Sequence, residues 1–556
     1  MKQILKDIFK ILNPREAHTL WKLALADVLI SVLDIAFLVG LLYVMNFYTQ
    51  SGVAPSKRYF SLVIFNDHPI LPIAVFLLLF AIKNIIGFFI SKAQYNFVYG
   101  VASRISRDNL LQYLNGPFSD YIDVDSSVMN RKINQQPIEF CHYVLNGIQQ
   151  IFSQSVLIMV TVVAIIIFNP LLLPLLILIL APPVFLISFF IKRRLQGGRL
   201  HGKIMSEKSI QHLQEALTGY VESNVYLKND FFTYRYHRFQ AELNHYLSER
   251  LIMQNMPTRF IEVFAVFGLF ALIVLNFLSS HTHSIQFITL GALMAAAYKI
   301  IPGIVKITNT AGQVKTYAYT TKGLKSGIEL PVNQNNPLSP IFSIDCENIC
   351  FNFGEKSILK DFSLHLIKGD MVGLVGLSGK GKTTLVNLLL GFLSPDAGNI
   401  YFNGEITGEE TRRRYWPGIS YIKQQHFFLH ASVIENITFK EGDYDIEKLK
   451  RILTLTGIDK IMNSFPEGLN AMITENGKNY SGGQRQRFIL ARALYKDFDL
   501  LILDEPFNEL DEAAEIELLK QLQLIAAEGK IILLITHNMA AFSFCNKKIQ
   551  LDEQEK

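Results

Sequence analysis

The sequence predicts a multidomain membrane protein, with an all-α domain of six transmembrane helices followed by an α/β domain. Three observations carry that prediction: the overall composition, a set of long apolar stretches in the first half, and a return to soluble-protein composition after about Lys322. Hydrophobic residues make up 50% of the 556 residues and charged residues only 18%, where an average soluble protein has about 25% charged. Such a chain has too much apolar surface to stay disordered or to form collagen. The four cysteines (Cys141, Cys346, Cys350 and Cys545) are too sparse for a disulfide scaffold. Cys346 and Cys350 also lack the second Cys or His pair of a zinc site. A net charge of +5 gives no case for a nucleic-acid partner.

A helix needs about 20 apolar residues to cross hydrocarbon. The first such span runs from about Leu23 to Phe47 and the second from about Ile70 to Ser91. The block Ile151 to Ile191 has no charged side chain, and Asn169-Pro170 divides it into a third and a fourth span. The fifth runs from about Pro257 to Leu278 and the sixth from about Ile285 to Val305. Lys2, Lys6, Lys10, Arg15 and Lys22 precede the first span. Lys92, Arg104 and Arg107 follow the second, and Lys192, Arg193, Arg194 and Arg199 follow the fourth. The positive-inside rule puts these segments, and both termini, in the cytosol. Ile4, Leu5, Ile8, Phe9 and Leu12 recur at helical intervals between lysines, which is not a signal-peptide layout. They predict an amphipathic helix on the inner leaflet.

Two cytoplasmic segments, about Lys92–Gln150 and Lys192–Met256, are too long for structureless loops. Helices two to five are therefore expected to continue into the cytosol, turning near Gly116–Val124 and Tyr220–Asn229. Within the membrane, Asp34 and Lys83 fall at similar depth, as do Glu262 and Lys299, and Asp27 lies on the face of Asp34. Two readings stand: interhelical pairs that fix packing, or the polar lining of a translocation cavity.

The domains expected are residues 1–327 (membrane), 328–340 (a polar, proline-punctuated linker) and 341–556. In the last, Met371-Val-Gly-Leu-Val375 reads as a buried strand leading into Gly376-Leu-Ser-Gly-Lys-Gly-Lys-Thr383. That is G-x-x-x-x-G-K-[ST] in strand–loop–helix context, which makes this half an α/β P-loop NTPase domain. Its glycines let backbone N–H groups wrap phosphates; Lys382 neutralises the β- and γ-phosphates and Thr383 ligates Mg2+. Leu500-Leu-Ile-Leu-Asp504-Glu505 is a second buried strand that delivers two carboxylates, Asp504 suited to the metal shell and Glu505 to polarising water. Ile531–Ile535 is a third, ending in Thr536-His537, where His537 suits a γ-phosphate contact.

Tyr480-Ser-Gly-Gly-Gln484, continuing RQRFILARAL, decides the assignment. Here the sequence resembles the ATP-binding cassette (ABC) transporter family, over nearly the whole chain. The resemblance implies an adenine-stacking aromatic at Phe353 and a phosphate loop over Gly376, Leu377, Ser378, Gly379, Lys380, Gly381, Lys382, Thr383 and Thr384. It implies Gln424 as the glutamine-loop residue at Mg2+ and at the reacting centre, and Ser481, Gly482, Gly483 and Gln484 as the signature. It also implies Asp504-Glu505 as the metal-site pair, Asn508–Asp511 as the D-loop with Asp511 at the nucleotide, and His537 as the switch histidine. ATP and Mg2+ are the implied cofactors. In this family each ATP lies between Lys382 of one chain and Ser481 of another. One chain thus looks like a half-transporter that works with a second copy of itself, its cytosolic tips passing the change to a twelve-helix membrane unit.

Several positions depart from the family pattern. Phe353 stands for Tyr, Tyr480 for Leu, Pro506-Phe507 for Ala-Thr, and Asn508-Glu-Leu-Asp511 for Ser-Ala-Leu-Asp. Met472 replaces a glutamate common in exporters, which leaves the docking of ATPase on membrane domain open. The layout resembles exporters in a bacterial inner membrane. Pro257–Glu262 and Ala297–Pro302 are similar to flippases of lipid-linked oligosaccharides, and no peptidase-like domain precedes the first span. The expected activity is ATP-driven export or flipping of an amphipathic substrate, a lipid-linked oligosaccharide or other lipid in one reading. Exporters of small peptides are an equal rival, drug-like molecules belong to the same alternative, and a sensor subunit gating a partner is a further one. A heterodimer with a degenerate partner also stays open.

Overall fold

The computed structural model of the chain describes residues 2–49, 70–116, 118, 122, 124–168, 170, 174, 182, 199–278, 287–324, 339–376, 379–463 and 465–551. It divides into two compact units, Met1–Ile328 and Glu329–Lys556.

The first unit is helical throughout its described residues: α1 (Lys2–Ile11), α2 (Pro14–Thr49) and α3 (Leu71–Leu114) open it. Next, Ser126–Asn130 leads through two π-helical stretches, Arg131–Gln135 and Phe140–Leu145, into α4 (Asn146–Phe168). Then come α5 (Arg199–Thr218), α6 (Tyr220–Val225), α7 (Asn229–Leu278) and α8 (Phe287–Thr316). Among the described residues three helical runs are long and apolar enough to span a membrane: Pro14–Leu41, Ile73–Leu114 and Ser126–Ile167. The fifth expected span falls within α7, and the sixth overlaps α8, which begins at Phe287. Of the fourth, only residues 170, 174 and 182 are among those described, and Asn169 is not.

The span helices turn their apolar side chains outward, as lipid-facing surfaces do: Leu25, Phe88, Phe89 and Phe267 are each at least 60% exposed. Where helices meet, small residues allow it. A Cβ on Gly147 of α4 would lie 2.8 Å from Val314 of α8, and one on Gly303 of α8 would lie 3.1 Å from Ile158 of α4. The extension of α3 beyond the apolar region ends at Leu114, and Asp125 restarts the chain by accepting Ser127 N–H at 2.9 Å. The second crossing is more ordered than expected, since Tyr220–Val225 forms a short helix within it. Tyr220, Val221, Val225, Tyr226 and Leu227 are exposed there.

Helix α1, expected as an amphipathic helix on the inner leaflet, packs part of its apolar face on protein. Ile8, Ile11 and Leu12 are buried with Val98, Val101 and Ile105 of α3 and with Phe140. Leu5 and Phe9 remain exposed. Arg104 has a structural partnership besides its topological charge. Its guanidinium meets Glu16 at 2.6 Å and Asp108 at 2.9 Å, and donates to Ile11 O at 3.0 Å. It thereby ties the α1–α2 junction to α3.

Asp34 pairs with Lys83, as the sequence suggested, and Lys83 sits over the rings of Phe37 and Phe80. Lys299 Nζ reaches the other oxygen of Asp34 at 3.4 Å, so this carboxylate is shared between two ammonium groups. The expected partner of Lys299, the Glu262 side chain, lies outside the described residues.

The second unit joins an antiparallel sheet to a parallel one. Strands β1 (Ser343–Phe353), β2 (Lys356–Ile367), β4 (Ala397–Phe402) and β5 (Glu405–Ile406) form the first, in the order β2-β1-β4-β5. Strands β3 (Met371–Val375), β6 (Ile419–Ile422), β9 (Leu500–Asp504), β10 (Ile531–Ile535) and β11 (Lys547–Gln550) form the second, in the order β11-β3-β10-β9-β6. Two-residue strands β7 (Ala431–Ser432) and β8 (Met472–Ile473) pair separately. The helices used below are α9 (Lys382–Leu389), α10 (Val433–Thr438), α11 (Ile446–Thr456), α12 (Gly482–Tyr495) and α13 (Glu512–Ala527).

The parallel sheet is buried on both faces, and its period of two sorts its side chains. Leu501, Leu503, Ile532 and Leu534 enter one core with Phe488 and Leu490 of α12 and Leu518 of α13. Leu500, Ile502, Ile531, Leu533 and Ile535 enter the other with Leu385, Val386 and Leu389 of α9. Each such fully buried Leu or Ile contributes about 1.5–3 kcal/mol. Helix ends are defined by side chains: Ser432 and Glu435 form a capping box on α10, and Asp445 caps α11 by accepting Lys448 N–H at 3.0 Å.

Asp34→Asn leaves Lys83 and Lys299 facing each other across a neutral amide. We expect it to destabilise the protein by about 3 kcal/mol, with part recovered in Asp34→Asn/Lys83→Met. Thermal unfolding of the detergent-solubilised protein reads this, and an unchanged midpoint in the single variant would rule it out.

Candidate functional site

The site is built where three parallel strands end together. Leu374 of β3 pairs with Ile535 of β10, and Ile535 pairs with Asp504 of β9. The segments that leave these strands, from Gly376, Thr536 and Glu505, therefore emerge side by side at the carboxyl edge. In open α/β sheets this edge is where ligands bind.

The loop from β3 to α9 needs its glycines for shape. Gly379 and Gly381 have φ of +82° and +96°, and a Cβ on Gly381 would lie 2.9 Å from Ile358 Cγ2. Leu377 and Ser378 lie outside the described residues. Lys382 is buried, and its Nζ donates to Gly376 O at 2.6 Å while lying 2.9 Å from His537 Nε2. Thr383 is exposed at the head of α9, whereas Thr384 is buried.

Asp504 and Glu505 end β9 in different surroundings. Asp504 is 4% exposed. Burial, reinforced by the neighbouring Glu505 charge and opposed by Lys382 and His537, pushes its carboxyl up to about 6. Glu505 turns out of the strand with φ +51°, and its N–H donates to Ile535 O at 2.9 Å. Its Oε2 accepts from Gln424 Nε2 at 2.7 Å and from Asn508 Nδ2 at 2.9 Å. Its Oε1 lies 3.1 Å from His537 Nε2. One imidazole nitrogen either accepts from Lys382 or donates to Glu505, so His537 must choose between them.

The signature begins a helix. Ser481 caps α12, with its Oγ accepting Gln484 N–H at 3.3 Å and its own N–H donating to Gln484 Oε1 at 3.0 Å. Gly482 and Gly483 form its first turn, whose N–H groups and dipole suit an anion. Tyr480 is 6% exposed and packs on Phe465 and Phe488, which accounts for an aromatic ring at this position.

The structure thus brings Lys382, Asp504, Glu505, His537 and Gln424 together. It places Phe353 apart, at the end of β1, half exposed with its ring 5.0 Å from that of Phe351. Asp511 caps α13, accepting Ala514 N–H at 3.0 Å. Met472 on β8 is exposed. The sequence placed Asn508 and Glu509 in the D-loop without naming a contact for either, and gave no role to Gln486, one polar residue in the run after the signature. Glu509 reaches back to α12: a Cβ on Gly482 would lie 2.4 Å from Glu509 Oε2, and Arg485 meets Glu509 at 3.5 Å.

Residues 359–508 match the sequence profile of the ABC transporter family. The second unit is an ABC transporter domain. It therefore binds nucleotide. A probable ABC transporter ATP-binding/permease protein of Haemophilus influenzae is 34% identical over 215 residues, 39% of each chain. An ATP-dependent lipid A-core flippase of Cupriavidus pinatubonensis is 33% identical over 37% of this chain and 36% of its own. A lactococcin-G-processing and transport ATP-binding protein of Lactococcus lactis is 33% identical over 38% of this chain and 30% of its own. The alignments thus span well under half the length of these relatives. The solved structure of a bacterial Atm1-family ABC exporter with ATP bound matches 96% of this chain and 94% of its own, with a TM-score of 0.77 and 14% identity. The whole chain accordingly shares the fold of that exporter structure: a helical half with apolar spans followed by the ABC domain.

The raised Asp504 carboxyl gives the ABC domain a pH signature. A carboxyl with a folded pKa of about 6 and an ordinary value of 3.8 favours the folded state below pH 3.8 and loses that contribution as pH rises through about 6. The nucleotide-free protein should therefore gain this contribution on acidification through that window, and Asp504→Asn should lack it. Unfolding midpoints of both proteins against pH test this.

Proposed function

We propose that the chain is one half of a dimeric exporter that hydrolyses ATP to move an amphipathic substrate across a membrane. The observation that carries this reading is the connected set Lys382–His537–Glu505–Gln424 at the shared edge of β3, β10 and β9. In this reading Lys382 holds the β- and γ-phosphates, with backbone N–H groups of Gly376–Thr384 around them, and Phe353 stacks on adenine. Lys382 spends its ammonium on Gly376 O and His537. A γ-phosphate in reach of Lys382 takes the place of His537 as its partner, which releases His537 Nε2 to contact that phosphate. Glu505, held between two amide donors, then polarises the attacking water.

The donors present fit Mg2+, which takes oxygen ligands. Thr383 is exposed at the head of α9, Asp504 ends β9, and Gln424, with Nε2 spent on Glu505, would offer Oε1. The ion would supply neutralisation of charge on the phosphates these residues hold. Ser481–Gln484 and Asp511 of a second copy complete each site. ATP then favours the closed pair because it contacts both chains, and hydrolysis removes that preference. The basic segments flanking the spans support an ABC domain and termini on the cytosolic side of a bacterial inner membrane.

For the substrate, the lipid A-core flippase relatives support a lipid with a large polar head. The lactococcin-G-processing relative supports a second reading, a small peptide. Reconstitution into vesicles, with lipid-linked glycans compared against small peptides for ATP-dependent movement, separates the two.

Glu505→Gln should reduce ATP turnover by about 100-fold or more while ATP stays bound in a closed dimer. Undiminished turnover would remove Glu505 from the role of base. The purified chain should hydrolyse ATP alone, and activity that needs a second, different chain would replace the homodimer with a heterodimer.

A further inference from the structure

Gln486 lies on α12 one helical turn beyond Gly482 and is 2% exposed. Its amide is used at both ends on main-chain groups. Nε2 donates to Glu505 O at 3.4 Å, and Oε1 accepts Glu509 N–H at 2.7 Å. One side chain thus grips the backbone on both sides of Pro506, Phe507 and Asn508.

That grip falls on a residue whose backbone is out of the ordinary. Glu505 has φ +51°, in the left-handed region that side-chain-bearing residues hold only when their surroundings over-determine it. The residue before a proline ordinarily adopts extended backbone, and Glu505 precedes Pro506 without doing so. Two bonds fix this state. The N–H of Glu505 is held by Ile535 O at 2.9 Å, and its carbonyl by Gln486. The carboxylate that results points at Gln424, Asn508 and His537.

Packing alone does not call for an amide here. Phe488, Leu490 and Leu503 supply an apolar core nearby, and a buried polar side chain is tolerated only when its partners are present. We infer that Gln486 is a positioning residue for hydrolysis, which clamps the Glu505–Glu509 backbone so that the Glu505 carboxylate meets the attacking water. It also joins the signature helix of a chain to the base of that same chain. This rests on the reading of Glu505 as the base.

The test uses the full chain in lipid nanodiscs, with kcat per active site and KM for ATP measured for wild type, Gln486→Met, Gln486→Glu and Glu505→Gln. Methionine keeps the length and loses both bonds, whereas glutamate keeps an acceptor for Glu509 N–H. Gln486→Met should lower kcat about 30-fold with KM unchanged within about twofold. Gln486→Glu should fall between Gln486→Met and wild type. A kcat within about twofold of wild type, with Glu505→Gln inactive, would overturn the inference and leave the base reading intact. Turnover in Glu505→Gln would overturn both. A loss of active protein with kcat per active site and KM unaltered would mark Gln486 as structural only, which also overturns it. If Gln486→Met does not fold, the same outcomes are read from Gln486→Glu.

Discussion

The parallel register of β3, β10 and β9 is the constraint on which the site depends. Because Leu374, Ile535 and Asp504 stand side by side, three segments that are separate in sequence leave the sheet at one edge. A one-residue slip would turn each strand over and move Asp504 from the edge to a core face. The two cores prevent it, since alternate residues of β9 and β10 are committed to opposite faces. The hydrophobic burial that holds the sheet together therefore also fixes the relative positions of an ammonium, two carboxylates and an imidazole.

Within that frame the site stores unfavourable choices that packing sustains. Asp504 is buried with its carboxyl raised, and Glu505 holds a left-handed backbone ahead of a proline. His537 stands between Lys382 and Glu505 and cannot satisfy both through one nitrogen. Each arrangement is disfavoured in isolation; under the proposed function, a cation at Asp504 and a phosphate at Lys382 would relieve the first and the last. Such frustration marks functional sites, where local rules are broken and the cost is offset elsewhere.

The membrane half follows the opposite solvent logic. Many large side chains of its spans, such as Leu25, Phe88, Phe89 and Phe267, face outward, and its helices approach one another at Gly147 and Gly303. Its polar residues turn inward in pairs: Arg104 with Glu16 and Asp108 near the helix junction, and Asp34 with Lys83 and Lys299 within the apolar region. A carboxylate shared by two ammonium groups is costly to desolvate and costlier to break. It holds three helices, α2, α3 and α8, at one point.

Much of this is local and was legible in the sequence. Apolar runs longer than a bilayer is thick mark the membrane half. The phosphate loop, the strand ending in Asp504-Glu505, the signature and His537 are contiguous motifs whose chemistry follows from residue type and spacing. The pairing of Asp34 with Lys83 followed from matched depth, since helical rise converts sequence position to height. What tertiary structure alone decided are the contacts between distant segments. Lys299 joining Asp34, the apolar face of α1 turning onto α3, Asn508 and Gln424 sharing one oxygen of Glu505, and the grip of Gln486 all belong to this class. Sequence spacing sets which atoms a helix or strand presents together. Which partner lies opposite depends on how whole elements pack, and packing is a property of the folded core rather than of any one segment.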